Sequence, residues 1–337
     1  MLDITDDYRK GAAFCASIGK NPFLSQGAGG NYSWKSENSL FVKASGMWLS
    51  EAQNKNIFVE VNRKKYLIDL KKNNFNVDLI NYSENGLKPS IETSMHALLS
   101  QKYVIHLHPV RVLAILIQSN WKLLIEEKFR NTAIAFNLID YHKPGKELAE
   151  AIDIAKNQNP NSNVYFLKNH GIIVAENDFE TFKKLLSKIL ALFLDNWPIS
   201  AENMTSELQT CDIPGYFRFP HPVIDKLISK SIFQKTLEEN WRLYPDHLVF
   251  MGMHPLFIKN TTILPATQNT PPVIFFEETL GCFIRNNHTK AQLAQLKCYF
   301  DVLSGINDYS SIDSLSETAS LDLLNWDAEK YRLSMQL

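Results

Sequence analysis

The stretch YVIHLHPVRV, residues 103–112, sets two imidazoles, His106 and His108, inside an apolar run. Val104, Ile105, Leu107, Val110 and Val112 read as one buried strand. Alternate residues of a strand face the same way, so the two rings would project side by side. A neutral imidazole in a core needs partners for both ring nitrogens. Two such neighbours either satisfy each other through hydrogen bonds or share a metal, and imidazole is the commonest zinc ligand. A third histidine, His170, stands in LKNHGIIV at a turn between apolar runs, where Gly171 lets the backbone bend. Beside a glycine, a histidine more often serves a turn than a metal. Three histidines and one open position do match a catalytic zinc site. His96 follows Glu92 by one helical turn and reads as a structural hydrogen bonder that could support the site. His142, His221, His247, His254 and His288 have no such context.

The elements that would position these residues follow from the pattern of apolar positions. TDDYRKGAAFCASIG reads as an amphipathic helix with Thr5 as its N-cap. A glycine-rich turn, GAGGNYS, covers residues 27–33, and SLFVKASG (39–46) is a short strand and turn. IFVEVNRKKYLIDL reads as a hairpin or two short strands. KPSIETSMHALLSQK starts a helix with Ser90 as N-cap and Glu92 in the first turn, where an acid favours the macrodipole. KELAEAIDIAKNQ and DFETFKKLLSKILALFLDNW are helices, and NVYFLKNHGIIVA is a strand, a turn and a strand. HLVFMG and PPVIFFEE read as strands of the C-terminal part. Residues 199–222 turn polar and rich in Pro and Gly, which places a boundary there: one domain over 1–200 and a smaller one over 215–337. Strands interleaved with helices predict a layered α/β core.

Composition excludes several classes of partner. The chain has 337 residues, a net charge of −1 and 45% hydrophobic residues, with no long basic stretch. Nucleic acid and an anionic membrane surface are not expected as partners. No apolar run is long enough to span a bilayer, and the N-terminus lacks the pattern of a signal peptide. Cys15, Cys211, Cys282 and Cys298 form no CxxC pair, so reduced thiols and a cytoplasmic location are expected.

The motifs GAGGNYS, VKASG, KPSIETSMH, VIHLHPV, PGKELA and KNHGIIV occur in the order seen in the class II aldolase/adducin family, and the resemblance spans residues 5–195. The VKASG form and a long extension containing YPDHLVF resemble the aldolase part of bifunctional rhamnulose-phosphate aldolase/alcohol dehydrogenases. No strand followed by GxGxxG stands for the dehydrogenase part. The resemblance implies an αβα layered sheet with a smaller C-terminal α/β domain, assembled as a homotetramer. It implies zinc on His106, His108 and His170, with Glu92 as acid/base. It implies a phosphate among Gly30, Asn31, Ser45, Gly46 and Ser90, where turns and helix starts offer free N–H groups. Taken singly, those five read as ordinary turn and cap residues. Lys43 either adds charge to this pocket or points to solvent.

The implied reaction is lyase chemistry: aldol cleavage of a ketose phosphate or sugar acid, with zinc stabilising an enediolate. Two positions depart from the family pattern. Ile91 stands where the aldolases commonly carry a second serine, and the tyrosine proton donor of fuculose-phosphate aldolase has no clear counterpart; Tyr141 and Tyr244 are candidates. The family's 4-epimerases carry aspartate at the acid position, so Glu92 favours cleavage. A dehydratase or decarboxylase would keep the triad, and a non-enzymatic adducin-like module would lose it.

Overall fold

The computed structural model describes residues 2–75, 86–194, 207–259 and 271–336. In chain order they form α1 (Leu2–Gly19), β1 (Asn31–Lys35), β2 (Ser39–Lys43), β3 (Phe58–Asn62), α2 (Arg63–Lys71), α3 (Thr93–Leu98), β4 (Tyr103–Leu107) and α4 (Val110–Leu116). There follow α5 (Trp121–Phe129), β5 (Asn137–Ile139), α6 (Lys146–Gln158), β6 (Val164–Leu167), β7 (Gly171–Glu176) and α7 (Phe179–Ala191). The C-terminal part holds β8 (Gln209–Thr210), β9 (Tyr216–Phe219), α8 (Pro222–Ser229), α9 (Phe233–Glu239) and α10 (Pro245–Met251). It continues with β10 (Ile274–Glu277), β11 (Gly281–Arg285), α11 (Lys290–Ser304), α12 (Glu317–Leu324) and α13 (Asp327–Ser334).

A seven-stranded sheet of order β3-β2-β1-β4-β7-β6-β5 forms the centre. Its ladders are antiparallel except for β5 on β6. The central strands are apolar on both faces, as burial between two helix layers requires. Ile105, Leu107, Phe166, Ile172 and Val174 pack with α1, α5 and α7 on one face. The alternate residues Val104, Tyr165, Leu167, Ile173 and Ala175 pack with Met95 of α3 and Leu148 and Ile152 of α6 on the other. The molecule is thus layered αβα, with a second, four-stranded antiparallel sheet β10-β11-β9-β8 in the C-terminal part.

Helix α4 belongs to two cores. Val112 and Leu116 enter the first, while Val110, Leu113, Ala114 and Ile117 enter a core built with Phe219, Ile224, Tyr299 and Phe300. No helix among the described residues is long and apolar enough to cross a membrane. All four cysteines are free thiols.

Several local expectations are corrected. The HLH strand ends at Leu107; Pro109 caps α4, so Val110 and Val112 are helical. β-branched residues two apart suggested a strand, but the chain is extended only as far as Pro109, and the helix begins at Val110. In residues 57–70 only the first half is strand. The side chain of Asn62 accepts the Lys65 N–H at 2.9 Å and starts α2, burying Tyr66 and Leu70 four apart. Residues 247–252 lie largely in α10, opened by Pro245, rather than in a strand. Thr5 lies inside α1, and the cap of α3 is Glu92 rather than Ser90. Asn31 and Ser33 already belong to β1 rather than to the glycine turn. Part of the proposed boundary, residues 199–206, lies outside the described residues.

Candidate active site

The end of β4, the start of β7 and the turn before α3 converge on one point. His106 is fully buried on β4, and His108 follows the strand's end. β7 pairs antiparallel with β4, which sets the NHG turn beside them. That turn needs its glycine. A Cβ on Gly171 would stand 2.2 Å from the Leu107 carbonyl oxygen and 2.9 Å from the His108 ring. Asn169, at φ 51°, donates from its amide to the carbonyls of Leu243 (2.9 Å) and Asp313 (2.8 Å), which holds the strained turn down. Gly171→Ala should therefore cost at least about 1–3 kcal/mol, because a backbone carbonyl cannot step aside as a side chain can. An unchanged denaturation midpoint would contradict this geometry.

The ring centroids of His106, His108 and His170 lie 4.7–5.4 Å apart. One nitrogen from each ring falls within 4.8 Å of the others. The hydrogen bonds decide which nitrogens carry protons. His106 Nδ1 faces the Ile172 carbonyl at 2.9 Å, which only accepts, so Nδ1 holds the proton. His108 Nδ1 faces Asp246 Oδ2 at 3.3 Å, and a carboxylate likewise favours a proton there. Both Nε2 atoms are then bare lone pairs, 2.9 Å apart. Two lone pairs so close repel unless a cation lies between them, so this donor set fits a divalent metal. Orienting partners on the far nitrogens are the usual companions of metal-ligating histidines. Burial also pushes the His106 and His170 imidazoles down, His170 to about 3, into the neutral form that binds metal.

Glu92 stands against the same point, with carboxylate oxygens 3.5 Å from His106 Nε2 and 3.4 Å from His170 Nε2. Asn31 Nδ2 donates to Glu92 Oε2 at 2.7 Å, and Oε1 has no hydrogen-bond partner. Burial raises this carboxyl; against it, any positive charge on the three rings and the Asn31 hydrogen bond lower it below the usual carboxylate range. His96 is tied on both ring nitrogens, to Ser33 Oγ at 2.7 Å and to Asn31 Oδ1, so it orients Asn31.

Gly30, Asn31, Ser45, Gly46 and Ser90 line one cavity together with Glu92, His108 and His170. Their donors differ in availability. Asn31 spends its amide on Ser90 and Glu92, whereas the buried Ser45 hydroxyl has no partner. Lys43 does not reach solvent. Its Nζ donates to the carbonyls of Ala28 (2.9 Å) and Met47 (2.6 Å), and burial pulls its ammonium down to about 7. Tyr141 and Tyr244 are not among the cavity's lining residues.

Four further lining residues come from the C-terminal part: Pro245 and Asp246 of α10 and Glu329 and Arg332 of α13. Arg332 pairs with Asp246 and, at 3.0 Å, with Glu329 Oε2. Burial opposes charge on Asp246, yet Arg332 and then His108 hold its carboxyl well below the usual range. No signal in the sequence links position 246 or 332 to position 108. Met335 and Gln336 close over the same end, Gln336 Nε2 donating to the Gly46 carbonyl at 2.6 Å. The enclosed space is about 20 Å³, little more than one water requires. An outer cleft of about 320 Å³ runs along α13 between Lys88 and Trp326 and meets the inner cavity at Ser45, Ser90 and Ile91.

A family model described as Class II Aldolase and Adducin N-terminal domain matches residues 10–192, more than half of the chain. The chain belongs to this family. The three histidines, Glu92 and the five cavity residues all fall within the stretch that matches the class II aldolase/adducin model; Asp246, Glu329 and Arg332 fall outside it. One curated relative is the "Uncharacterized oxidoreductase YuxG" of Bacillus subtilis, 32% identical over 103 residues. That match covers 30% of this chain and spans only 14% of the relative's length. Among solved structures, an N-terminal class II aldolase domain from Thermoplasma acidophilum is 22% identical, covering 55% of this chain and 91% of that one at a TM-score of 0.47. An L-fuculose 1-phosphate aldolase is 17% identical, covering 56% of this chain and 82% of that one at a TM-score of 0.40.

Proposed function

We propose that this protein is a zinc-dependent aldolase acting on a ketose phosphate. The observation that carries the reading is Glu92: a buried carboxylate, fixed by Asn31, beside three clustered imidazoles at the wall of a cavity. When bound, zinc supplies positive charge that stabilises an enediolate. The chain's own residues do the rest. His106, His108 and His170 hold the ion. The Glu92 carboxylate takes the proton from the carbon next to the ketone carbonyl, and returns it in the cleavage direction. Ser45, with its free hydroxyl, and Ser90 receive the anionic end where the outer cleft meets the inner cavity. Met335 and Gln336 must shift to admit it, since the inner space of about 20 Å³ holds little more than a water.

Proton exchange isolates this step. Dihydroxyacetone phosphate incubated with the zinc-loaded protein in deuterium oxide should gain deuterium at the carbon that Glu92 serves. Dihydroxyacetone, which lacks the phosphate, should exchange at least about tenfold more slowly, since a hydrogen bond to a charged group contributes about 1.5–3 kcal/mol. Exchange into pyruvate instead would move the substrate class to sugar acids. Exchange into none of the three would sink the aldolase reading.

A further inference from the structure

An aldol reaction needs two proton-handling groups. Glu92 serves the carbon; a second group must serve the oxygen that is hydroxyl in the ketose and carbonyl in the aldehyde. Among the described residues, no tyrosine lines the inner cavity. The ionisable residues there can be sorted by what already engages them. Lys43 is tied to two backbone carbonyls. Asp246 is held between Arg332 and His108. Arg332 stays charged at any working pH. His108 and His170 belong to the metal cluster. Glu329 remains.

We propose that Glu329, carried into the cavity by α13, is the second catalytic residue and exchanges a proton with the aldehyde oxygen. The role rests on the aldolase reading above. Glu329 is 2% exposed and lines the same cavity as Glu92. Neither of its carboxyl oxygens makes a hydrogen bond; the contact with Arg332 Nε, at 3.0 Å, is an ion pair without hydrogen-bond alignment. A buried carboxyl with no donor to satisfy it costs free energy unless it is protonated or has a task.

The groups facing Glu329 keep both of its forms accessible. Burial raises its carboxyl, Arg332 on the same helix opposes this, and Asp246 and Glu92 add to the rise while His108 lowers it. The balance stands at about 7, where an acid and its conjugate base are both populated near neutrality.

In the condensation direction the step balances as follows. Glu92 removes a proton from the ketone's carbon. The resulting enediolate carbon bonds to the aldehyde carbon. The carbonyl's π electron pair moves to its oxygen, which takes the proton from the Glu329 carboxyl. Cleavage is the reverse: the Glu329 carboxylate takes the hydroxyl proton, the carbon–carbon bond breaks and Glu92 protonates the carbon.

Two assays on zinc-loaded protein separate this role from a structural one. Deuterium exchange into dihydroxyacetone phosphate needs Glu92 alone. Condensation of dihydroxyacetone phosphate with glycolaldehyde needs both groups. Glu329→Gln should keep exchange within about twofold of the parent and lose about 10²–10⁴-fold in condensation. Glu329→Asp, which keeps the carboxyl, should recover part of the rate and serves if the glutamine variant misfolds. Parent-like condensation in Glu329→Gln, or equal losses in both assays, would overturn the assignment. A parent that exchanges no proton at all removes the aldolase reading and this role together.

Discussion

Replacing Glu92 by glutamine should slow deuterium exchange into dihydroxyacetone phosphate by about 10²–10⁴-fold, a rise of about 3–5 kcal/mol in the barrier. The substitution keeps size and polarity and removes the charge that accepts the proton. The alternative role for Glu92, a helix-end acid, would leave exchange nearly intact and cost about 0.3–1 kcal/mol of stability. The contacts of the side chain bear on this choice. Glu92 is the cap residue of α3, yet its side chain makes no capping hydrogen bond; it turns instead to Asn31 and the imidazoles. Denaturation midpoint and zinc content of the variant should stay close to those of the parent. Parent-like exchange would remove Glu92 from the chemistry.

His106→Ala should abolish stoichiometric zinc binding, and with it essentially all exchange activity. His106 is the most enclosed of the three histidines, with no exposed surface. Its loss leaves two imidazoles, too few for the three-ligand site of a catalytic zinc. The readout that does not depend on activity is metal per chain after dialysis. A second is the zinc-induced rise in stability, about 4 kcal/mol in the parent at a thousandfold excess over Kd and near zero in the variant. His142 and His288, which line no part of the cavity, provide the controls: alanine at either should leave zinc content unchanged. Full zinc occupancy with all three of His106, His108 and His170 replaced would end the metal assignment.

What could be read from the chain follows from the range of the forces involved. The strands β4, β6 and β7 were legible because a short, continuous apolar run is a local property. His106, His108 and His170 were legible because their immediate neighbours, strand and turn, sit within a few residues. The errors at Val110 and Val112 arose because the β-branched spacing continues past Pro109, where the extended chain ends and α4 begins. The helix at Arg63–Lys71 was hidden because nine residues carry only two buried positions. Asp246, Glu329 and Arg332 were not legible at all. They reach His108 and Glu92 across more than a hundred residues of chain, and only the packing of α10 and α13 brings them there. Asn31, an anion donor only by the family resemblance, has its amide on Ser90 and Glu92 instead.

Helix α4, shared between both cores, has a thermodynamic consequence. Melting the C-terminal core would strip cover from Val110, Leu113, Ala114 and Ile117 on an element whose opposite side fills the sheet core. Asn169 adds a second tie, since its amide bonds hold the turn that carries His170 to Leu243 and Asp313. Neither sheet can therefore loosen without raising the free energy of the other. Binding energy delivered at the three imidazoles is accordingly not a local quantity. It is distributed through α4 as resistance to opening in strands that never touch the ligand, so a calorimeter would register one heat-absorption peak, displaced as a whole.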